Sequence, residues 1–442
     1  MPEEERQKRE ADKRKARKNN GAKRGIHYEM EQEEHDVYPD DPDFDINKAR
    51  LVTTAPRICV RYECVPMRFI KHVYRIHTYA QDGRLFEGKT PVSAFLNSSY
   101  DGSFIAGLME LRYIQSLPVE RIINYFESHG FTLKKPTAHK LMEKASSLFE
   151  NLYKCIRQTA LSDPYKAADE TYYKILVPEK NSKGKGFRKG YLWVVVGINT
   201  RMIYLLYDDG SRSEKVILNE LGGCKGIIQS DGYSPYRKLE SDAYPHITRI
   251  PCLQHIKRKF IDCGEDDPDA KRIVEMINTL YQNEHKHKIG VDGWTVEQNL
   301  VHRKKYAPDI LGEIKDVLDD IEERGDLLPK SELKEAITYL RNEWNAVVDI
   351  FNYGDTYLDN NIVERMNRYI SLSRKNSLFF GSHKGAERGA ILYTIALTCR
   401  MNKVNLFEYL TDIINRTAEW QPNTPLEKYR QLLPDRWEKA ND

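Results

Sequence analysis

Strand-like runs of β-branched and aromatic residues are concentrated between residues 167 and 251. Three of them follow one another closely, joined by a polar loop and by a two-residue Asn-Thr connection, which predicts an antiparallel meander. The runs are ADETYYKILV, YLWVVVGI and RMIYLLYDDG. A helical segment, SEKVILNELGG, then leads to a fourth strand that stops at the turn Asp231-Gly232. HITRIPCLQ predicts a fifth strand before the helix of HIKRKF.

This order of strands and helices predicts an α/β protein with a ribonuclease H-like mixed sheet of five strands. In that topology the first and fourth strands are neighbours, so Asp169 and Asp231 would face each other although 62 residues separate them. Ligands and catalytic groups gather at the carboxyl ends of strands in open α/β sheets. Successive strand residues face opposite sides, so only one of Asp169 and Glu170 can point into such a site. An Asp-Gly pair alone is more commonly a simple turn.

A helical pair precedes the sheet and carries several basic residues. Residues 117–130 have an apolar stripe at helical spacing and end at Gly130, and a second helical segment begins after a short turn. The pair resembles a helix-turn-helix and is a candidate DNA-binding element, although helical hairpins without nucleic acid are commoner. The basic residues of the second segment are Lys134, Lys135, His139, Lys140 and Lys144. Upstream, residues 55–79 have a β-like pattern and predict a small β unit.

Residues from 265 to about 355 are charged and mostly helical, and they predict a helical insertion. After it, a further helix has apolar residues on one face and polar residues on the other. The polar residues are Asn360, Asn361, Glu364, Asn367, Arg368 and Ser371. Glu364 lies at the centre of this face, where a surface pair with Arg368 is the simpler interpretation. Three asparagines in eight positions are, however, unusual for a surface face.

Two aspartates on adjacent strands and a glutamate from a later helix form a ligand set that suits two Mg²⁺ ions. Hard divalent cations prefer oxygen ligands, and two of them about 4 Å apart can activate an attacking oxygen and stabilise a leaving one in phosphoryl transfer. Closely packed carboxylates repel one another unless a cation neutralises them, so such a cluster is costly as structure alone. Asp169, Asp231 and Glu364 therefore indicate metal-dependent phosphoryl transfer.

Basic residues follow the helix of Glu364 directly. Arg374, Lys375, His383 and Lys384 are interleaved with two phenylalanines and a glycine. Basic and aromatic groups together suit a DNA backbone and an unstacked base. The alternative is a solvated loop, and the position beside Glu364 favours contact with DNA.

The composition of the 442 residues is that of an ordinary soluble protein, with 40% hydrophobic and 31% charged residues. A net charge of +3 hides two blocks of opposite sign, basic over residues 6–24 and acidic over 29–45, which we expect to be flexible. No apolar run reaches the roughly 18 residues of a membrane span, and no signal-peptide core follows Met1, so we expect a cytoplasmic protein. The seven cysteines contain no Cys-x-x-Cys pair, which favours reduced thiols.

Seven runs occur along the chain in a characteristic order. They are ADETYYKIL, GYLWVVVG, QSDGYSPY, PCLQHIKRKF, DNNIVERMNRYI, SRKNSLFFGSHKGA and NLFEYLTDII. Together they resemble the transposases of the bacterial insertion sequence 66 family, which carry a DDE catalytic triad on a ribonuclease H-like fold. The resemblance extends from about Arg57 to Ile414 and implies that Asp169, Asp231 and Glu364 are the catalytic and metal-binding triad. It also favours Asp169 over Glu170.

The resemblance further implies a DNA transposase that uses two Mg²⁺ or Mn²⁺ ions and acts on double-stranded DNA at the inverted-repeat ends of its element and at the target. Because two DNA ends must be held together, we expect a homodimer or a larger assembly on DNA. Small accessory proteins encoded nearby are further candidate partners, and no membrane partner is expected. The location would be the cytoplasm, at the nucleoid. The candidate DNA-binding residues are Arg365, Arg368, Arg374, Lys375, His383, Lys384, Lys134, Lys135 and Lys140.

Cys252 and His255 resemble the Cys-x-x-His element that follows the second aspartate in several DDE transposase groups. With Asn361 they are candidates for supporting the active site. A lone histidine after a strand is more commonly structural.

Zinc is not predicted. Cys252, His255 and Cys263 could supply three ligands, but their spacing matches no common zinc site. Longer relatives carry a zinc-knuckle-like segment upstream, whereas the corresponding β unit here has only Cys59 and Cys64.

The sequence predicts five regions and leaves two alternatives for function. The regions are a flexible basic then acidic arm (1–50), a small β unit (51–100), a helix-turn-helix-like helical domain (101–160), the catalytic domain with its insertion (161–400) and a C-terminal helical tail (401–442). The alternatives to a transposase are a ribonuclease H-like nuclease that cuts DNA without joining it and a non-catalytic DNA-binding protein derived from a transposase.

Overall fold

The structure, a computed structural model, describes most of the chain from residue 67 onward. The described residues are 67–73, 78–81, 84–87, 94–95, 98–179, 184, 186–264, 266–418, 420–421 and 423–439. They belong to one compact unit that begins at residue 66. The predicted flexible arm and the two cysteines Cys59 and Cys64 lie outside the described residues, as does much of the predicted small β unit.

The described part of the chain contains eight strands, fourteen α-helices and one short 3₁₀ helix at Lys238–Glu240. The strands are β1 Thr78–Gln81, β2 Arg84–Glu87, β3 Tyr165–Leu176, β4 Phe187–Gly197, β5 Met202–Leu206, β6 Gly226–Ser230, β7 Ile247–Pro251 and β8 Phe379–Phe380. The helices are α1 Gly102–Tyr113, α2 Val119–Ser128, α3 Lys135–Leu148, α4 Glu150–Ser162, α5 Glu214–Leu221, α6 Ser234–Arg237, α7 Leu253–Asp262, α8 Pro268–Glu284, α9 Val296–Glu323, α10 Glu332–Ile350, α11 Asn361–Asn376, α12 His383–Met401, α13 Leu406–Thr417 and α14 Leu426–Arg430.

A mixed sheet of six strands lies at the centre of the fold. Its order is β5-β4-β3-β6-β7, with β8 also pairing with β3. The pairs β3–β4 and β4–β5 are antiparallel, whereas β6 is parallel to both β3 and β7. The predicted adjacency of the first and fourth strands of this series, β3 and β6, is confirmed. Strands β1 and β2 form a separate antiparallel pair.

Two details of the predicted sheet are wrong. The sheet has six strands rather than five, because the two residues Phe379 and Phe380 pair with β3. The connection between β4 and β5 has four residues rather than two, since the ladder closes on Gly197 and Met202. Arg201 in this connection has a positive φ of 55°, and such a conformation in a non-glycine residue is not readable from the amino-acid type.

A glycine sets the start of β6 beside β3. Gly226 has a φ of 91°, and a Cβ there would lie 2.2 Å from the carbonyl oxygen of Pro164. The next residue, Ile227, donates its backbone N–H to that same oxygen at 2.8 Å. Only glycine allows this close approach, which fixes the register of the two parallel strands.

The outer edge of the sheet at β5 is covered by helix α12. Two backbone N–H groups of β5, those of Ile203 and Leu205, donate to the hydroxyls of Thr398 and Thr394 at 3.2 and 3.0 Å. The two threonines are four residues apart and therefore on one face of the helix. This arrangement satisfies an edge that would otherwise offer unpaired donors.

Two hydrophobic clusters flank the sheet. The larger one joins apolar residues of the sheet to helices α1–α4 and α12–α14, so residues 102–162 share a core with the sheet and the C-terminal helices. The smaller one joins helices α7–α10 to the sheet residues Tyr165, Ile227 and Ile250. The region predicted as a helical insertion is indeed helical, in α8, α9 and α10. Within the described ranges, no helix is long and apolar enough to cross a membrane.

Candidate active site

Asp169 and Asp231 lie on adjacent parallel strands. The β3–β6 ladder pairs Tyr165 with Ile227 and Ala167 with Gln229. The same register, carried two residues further, sets Asp169 opposite Asp231, which directly follows the last residue of β6. The charge of Asp231 raises the pKa of Asp169, so the two carboxyl groups are close enough to interact.

Asp169 is a half-buried carboxyl group with an altered proton affinity. Burial, followed by the charges of Glu170 and Asp231, raises its pKa from 3.8 to about 7. Its Oδ1 accepts a hydrogen bond from the backbone N–H of Glu170 at 2.8 Å. Its Oδ2 accepts one from Asn367 Nδ2 at 2.7 Å. Each oxygen keeps a lone pair free for another ligand.

Asp231 lies in a turn that is held by its neighbours. Its Oδ1 accepts a hydrogen bond from the backbone N–H of Tyr233 at 3.0 Å, and its carbonyl oxygen accepts one from Arg249 Nη1 at 3.2 Å. The next residue, Gly232, donates its backbone N–H to Tyr339 Oη at 2.8 Å. The side chain of Asp231 is thus fixed by a local turn, and its backbone by residues from β7 and α10.

Glu170 points to the opposite face of the sheet from Asp169, as the alternation of a strand requires. Its Oε1 accepts a hydrogen bond from Arg212 Nε at 3.1 Å, and its Oε2 accepts one from Tyr236 Oη at 3.4 Å. Burial raises the pKa of Glu170, and the Arg212 contact lowers it in part. Glu170 therefore has its own partners, although its charge still acts on Asp169.

Glu364 lies in the first turn of helix α11 with one free oxygen. Its Oε1 has no hydrogen-bond partner and lies 3.7 Å from His255 Nε2. Asn367, the residue that contacts Asp169, follows three residues later on the same helical face. Helix α11 therefore links Glu364 to Asp169 through Asn367.

Asn360 connects strand β3 to Cys252, the residue that directly follows β7. It precedes helix α11, and its side chain does not cap the helix. Its Nδ2 instead donates to the carbonyl oxygen of Ala168 at 3.0 Å, and its backbone N–H donates to Cys252 Sγ at 3.2 Å. Asn360 is almost fully buried, whereas Asn361, the residue predicted to support the site, is exposed.

Asn360 and Asn367 are the site residues that the sequence interpretation did not select. The unusual density of asparagines on the polar face was the available signal. Choosing among them requires the exact start of the helix, because one position rotates a side chain by about 100°.

Cys252, His255 and Glu364 form a cluster whose ligand atoms lie within 4.8 Å of one another. Burial raises the pKa of Cys252 to about 11, and its Sγ accepts a hydrogen bond from the backbone N–H of Asn360 at 3.2 Å. Cys263 lies at the other end of helix α7 from His255, eight residues away, and its Sγ donates to the carbonyl oxygen of Lys259. The three-residue set Cys252, His255 and Cys263 is therefore not brought together.

The predicted DNA-binding residues of the C-terminal part differ in how exposed they are and in whether they already contact other residues of the protein. Arg374 is half-buried, with its guanidinium 4.0 Å from the ring centroid of Tyr172 and bonded to the carbonyl oxygen of that residue. His383 Nδ1 lies 2.7 Å from both Tyr207 Oη and Asp209 Oδ1. The exposed members of the set are Arg365, Arg368, Lys375 and Lys384.

The predicted DNA-binding residues of the helical pair are all exposed. Helices α2 and α3 are separated by six residues that include Gly130, with a φ of 81°. Lys134 precedes α3 and Lys140 lies within it. Lys135 forms an exposed ion pair of 2.8 Å with Glu120, which leaves its charge partly matched.

The donor set of the site fits a hard cation. Asp169 and Asp231 offer carboxylate oxygens whose mutual repulsion is visible in the raised pKa of Asp169. Asn367 Oδ1, in the amide that contacts Asp169, and Glu364 Oε1, in the cluster with Cys252 and His255, are buried and have no hydrogen-bond partner. Among the described residues, the three carboxylates Asp169, Asp231 and Glu364 do not form a group within 4.8 Å of one another. Oxygen donors of this kind suit Mg²⁺ or Mn²⁺.

The fold and this site define an α/β protein in which Asp169 and Asp231 lie just beyond the point where the parallel pairing of β3 and β6 ends. The chain belongs to the IS66 family of transposases, since the family model described as "Transposase IS66 family" matches residues 97–388. This finding confirms the family that the sequence motifs indicated.

Three proteins of Sinorhizobium fredii (strain NBRC 101917 / NGR234) are similar to the chain. The uncharacterized protein y4jD is 25% identical over 346 residues, covering 75% of this chain and 65% of y4jD. The uncharacterized protein y4hP is 24% identical over 438 residues, covering 90% of this chain and 76% of y4hP. The uncharacterized protein y4qI is 26% identical over 384 residues, covering 83% and 69%. The chain thus spans about two thirds to three quarters of the length of these relatives.

Proposed function

We propose that this protein is a DDE transposase that cleaves and joins DNA strands at the ends of its insertion sequence. The observation that carries the proposal is the position of Asp169 within β3 and of Asp231 directly after β6, both two residues beyond the last parallel pair of these strands, with the pKa of Asp169 raised to about 7 by burial and by the charges of Glu170 and Asp231. Membership of the IS66 transposase family supports the same activity. Catalytic sites commonly contain ionisable groups whose pKa is shifted by burial and by like charges.

The fold that we propose is the ribonuclease H-like one. Three antiparallel strands followed by two parallel ones, in the order β5-β4-β3-β6-β7, support it. In this topology the first aspartate lies on the central strand and the second on its parallel neighbour. The helical insertion then lies between the second aspartate and the helix of Glu364.

Asp169, Asp231 and Glu364 would hold two Mg²⁺ or Mn²⁺ ions. When bound, such ions activate an attacking oxygen and stabilise the leaving oxygen at a phosphodiester. Burial and the charges of Glu170 and Asp231 raise the pKa of Asp169 to about 7 and so favour its protonated form; a cation bound there would displace that proton. Asn367 holds Oδ2 of Asp169 in a fixed direction through its amide N–H. Arg212 and Tyr236 keep Glu170 on the opposite face, away from the reacting DNA.

The DNA would lie across the exposed basic face of helix α11 and the residues that follow it. Arg365, Arg368, Lys375 and Lys384 are exposed there and can neutralise phosphates. Helix α3 offers a second basic surface through Lys134 and Lys140. Two DNA ends are handled in transposition, so we expect a dimer or a larger assembly on DNA.

The test of this function is the substitution Asp231→Asn in the full chain. We expect it to abolish Mn²⁺-dependent cleavage of DNA that carries the terminal repeats, while DNA binding persists. The matched control is Asp242→Asn, which removes an exposed aspartate from the loop after α6 and should leave cleavage unchanged. Full cleavage by Asp231→Asn would contradict the catalytic assignment.

A strand-transfer assay on the same substrates separates the transposase from a nuclease of the same fold. The transposase joins a free 3′-hydroxyl to target DNA, whereas the nuclease yields only cut ends. If the wild-type chain does not bind Mn²⁺ and does not cleave DNA, the result would instead support the hypothesis of a non-catalytic DNA-binding protein.

A further inference from the structure

The helical insertion contacts the turn of Asp231 with polar side chains. Helix α10 supplies Tyr339, whose Oη accepts the backbone N–H of Gly232 at 2.8 Å. The same helix supplies Glu343, which accepts a hydrogen bond from Arg249 Nη2. Tyr339 and Glu343 are four residues apart, so they lie on one face of α10, the face directed at the end of β6.

Arg249 connects Glu343 to the backbone of Asp231. It lies in β7 and is only 2% exposed, and Glu343 is only 1% exposed. The guanidinium donates to three acceptors, which are Glu240, Glu343 and the carbonyl oxygen of Asp231, the last at 3.2 Å. A rigid guanidinium with several bonds holds its acceptors in a fixed geometry. The position of the Asp231 backbone thus depends on a side chain of the insertion.

The contact between Tyr339 and Gly232 is close. A Cβ at position 232 would lie 2.5 Å from Tyr339 Oη and 2.7 Å from two carbons of its ring. Glycine therefore admits the tyrosine against the backbone immediately after Asp231. Any shift of α10 would move this contact and with it the turn that orients the carboxylate.

These polar contacts are not needed to attach the insertion. Helices α7–α10 already bury a hydrophobic cluster against Tyr165, Ile227 and Ile250. A buried ion pair such as Arg249–Glu343 contributes little net stability compared with well-packed apolar residues. Glu343 Oε1 also lacks a hydrogen-bond partner, which adds a cost. The contacts therefore call for an explanation other than docking.

We propose that Tyr339, Glu343 and Arg249 are positioning residues through which the helical insertion orients Asp231 for metal binding. This inference rests on the proposed function, in which Asp231 is a metal ligand. Residues that orient metal ligands are important for affinity, and their substitution typically lowers metal affinity or activity about 10- to 100-fold. The insertion is then part of the active site and not only a surface addition.

The experiment is a calorimetric titration of Mn²⁺ into the full chain and three variants. Tyr339→Phe removes only the hydroxyl that accepts the Gly232 N–H. Tyr353→Phe is the matched control, because its hydroxyl also links the insertion to the sheet, at 3.3 Å from Thr248 Oγ1 in β7, yet does not contact the Asp231 turn. Asp231→Asn is the reference for loss of the metal ligand itself.

We expect Tyr339→Phe to bind Mn²⁺ about 10- to 100-fold more weakly than the wild type, and Tyr353→Phe to bind like the wild type. The thermal midpoints of the two tyrosine variants should be similar, since each loses one hydroxyl. In cleavage assays, Tyr339→Phe should lower kcat and leave KM for DNA unchanged. A global structural effect would not give this pattern.

Wild-type affinity in Tyr339→Phe would overturn the positioning role and leave the proposed function intact. Equal weakening in both tyrosine variants would overturn it too, because the effect would then not depend on the Asp231 turn. If Asp231→Asn binds Mn²⁺ as tightly as the wild type, the metal assignment of the proposed function fails and the positioning role fails with it. Arg249→Lys provides an independent variant, and its folded form should also bind Mn²⁺ more weakly because a lysine cannot reach all three acceptors.

Discussion

Replacing Asp169 by asparagine should stabilise the metal-free protein at alkaline pH. The substitution keeps the shape of the side chain, and its single oxygen can still accept the N–H of the Glu170 backbone. Its new amide N–H₂ can donate to Asn367 Oδ1, which has no partner, once the Asn367 amide turns by 180°. It removes a charge that is half-buried and repelled by Glu170 and Asp231, the causes that raise the pKa of Asp169 from 3.8 to about 7. The carboxyl group that we propose as a metal ligand is therefore expected to destabilise the metal-free protein.

The sign and size of the effect follow from proton linkage. The folded protein binds the Asp169 proton more tightly than the unfolded chain does, so this proton contributes to the free energy of unfolding. The contribution is fully present below pH about 4 and is lost as the pH rises to about 7. A tenfold change in a proton affinity corresponds to about 1.4 kcal/mol, so the shift corresponds to at most about 4 kcal/mol. Water has access to the half-buried carboxylate, and we therefore expect about 2 kcal/mol. For a chain of 442 residues that is about 2 °C in Tm.

Differential scanning calorimetry of the metal-free proteins at pH 5 and pH 8 measures this effect. We expect the Tm of Asp169→Asn to exceed that of the wild type by about 2 °C at pH 8 and by much less at pH 5. Added Mn²⁺ should stabilise the wild type but not the variant. Asp163→Asn is a control for which we expect the opposite change in Tm. The buried Asp163 carboxylate accepts hydrogen bonds from the backbone N–H groups of Tyr165 and Thr200 at 2.9 and 2.7 Å. Its substitution should therefore lower the Tm at both pH values. A lower Tm for Asp169→Asn at pH 8 would refute the reasoning.

Two further predictions concern the insertion and the DNA surface. Arg303→Met should lower the free energy of unfolding by about 3–5 kcal/mol in denaturant titrations, because it leaves Glu284 without its buried partner and frees the carbonyls of the loop that leads to α11. An unchanged midpoint would show that the loop is held by other contacts. The double variant Arg365→Ala and Arg368→Ala should leave Tm unchanged and reduce the slope of log Kd against log salt by about 2, as measured by fluorescence anisotropy. An unchanged slope would place the DNA elsewhere.

Much of the sheet could be predicted from the sequence, because its strands are long and its turns are marked by glycine and aspartate. The neighbouring positions of Asp169 and Asp231 followed from topology alone. The sixth strand could not be predicted, since two phenylalanines carry no periodic signal and pair with β3 only after the chain has folded back. From the sequence alone, Phe379 and Phe380 are predicted to lie in a basic loop that contacts DNA.

The polar partners of the site were harder to predict than its carboxylates. Carboxylates of a metal site are a small set of residue types, whereas an asparagine can cap a helix, bond a strand or face solvent with equal ease. Asn360 bonds β3 where a helix cap would be the usual role, and Asn361 beside it is exposed. The sequence suggests that Arg374 is free to contact DNA, whereas in the structure its guanidinium donates a hydrogen bond to the carbonyl oxygen of Tyr172 in β3.

Between its pairings with β6 and β8, strand β3 has backbone groups whose hydrogen-bond partners are side chains and not another strand. Asn360 and Arg374 donate to the carbonyls of Ala168 and Tyr172, and the amide of Glu170 donates to Asp169 Oδ1. That amide is thus protected from hydrogen exchange by the carboxylate of Asp169 and not by another strand. Its exchange rate and its chemical shift in nuclear magnetic resonance would therefore report the protonation of Asp169 directly. The protein thus carries a native probe of the candidate site, one that needs no label and no substrate.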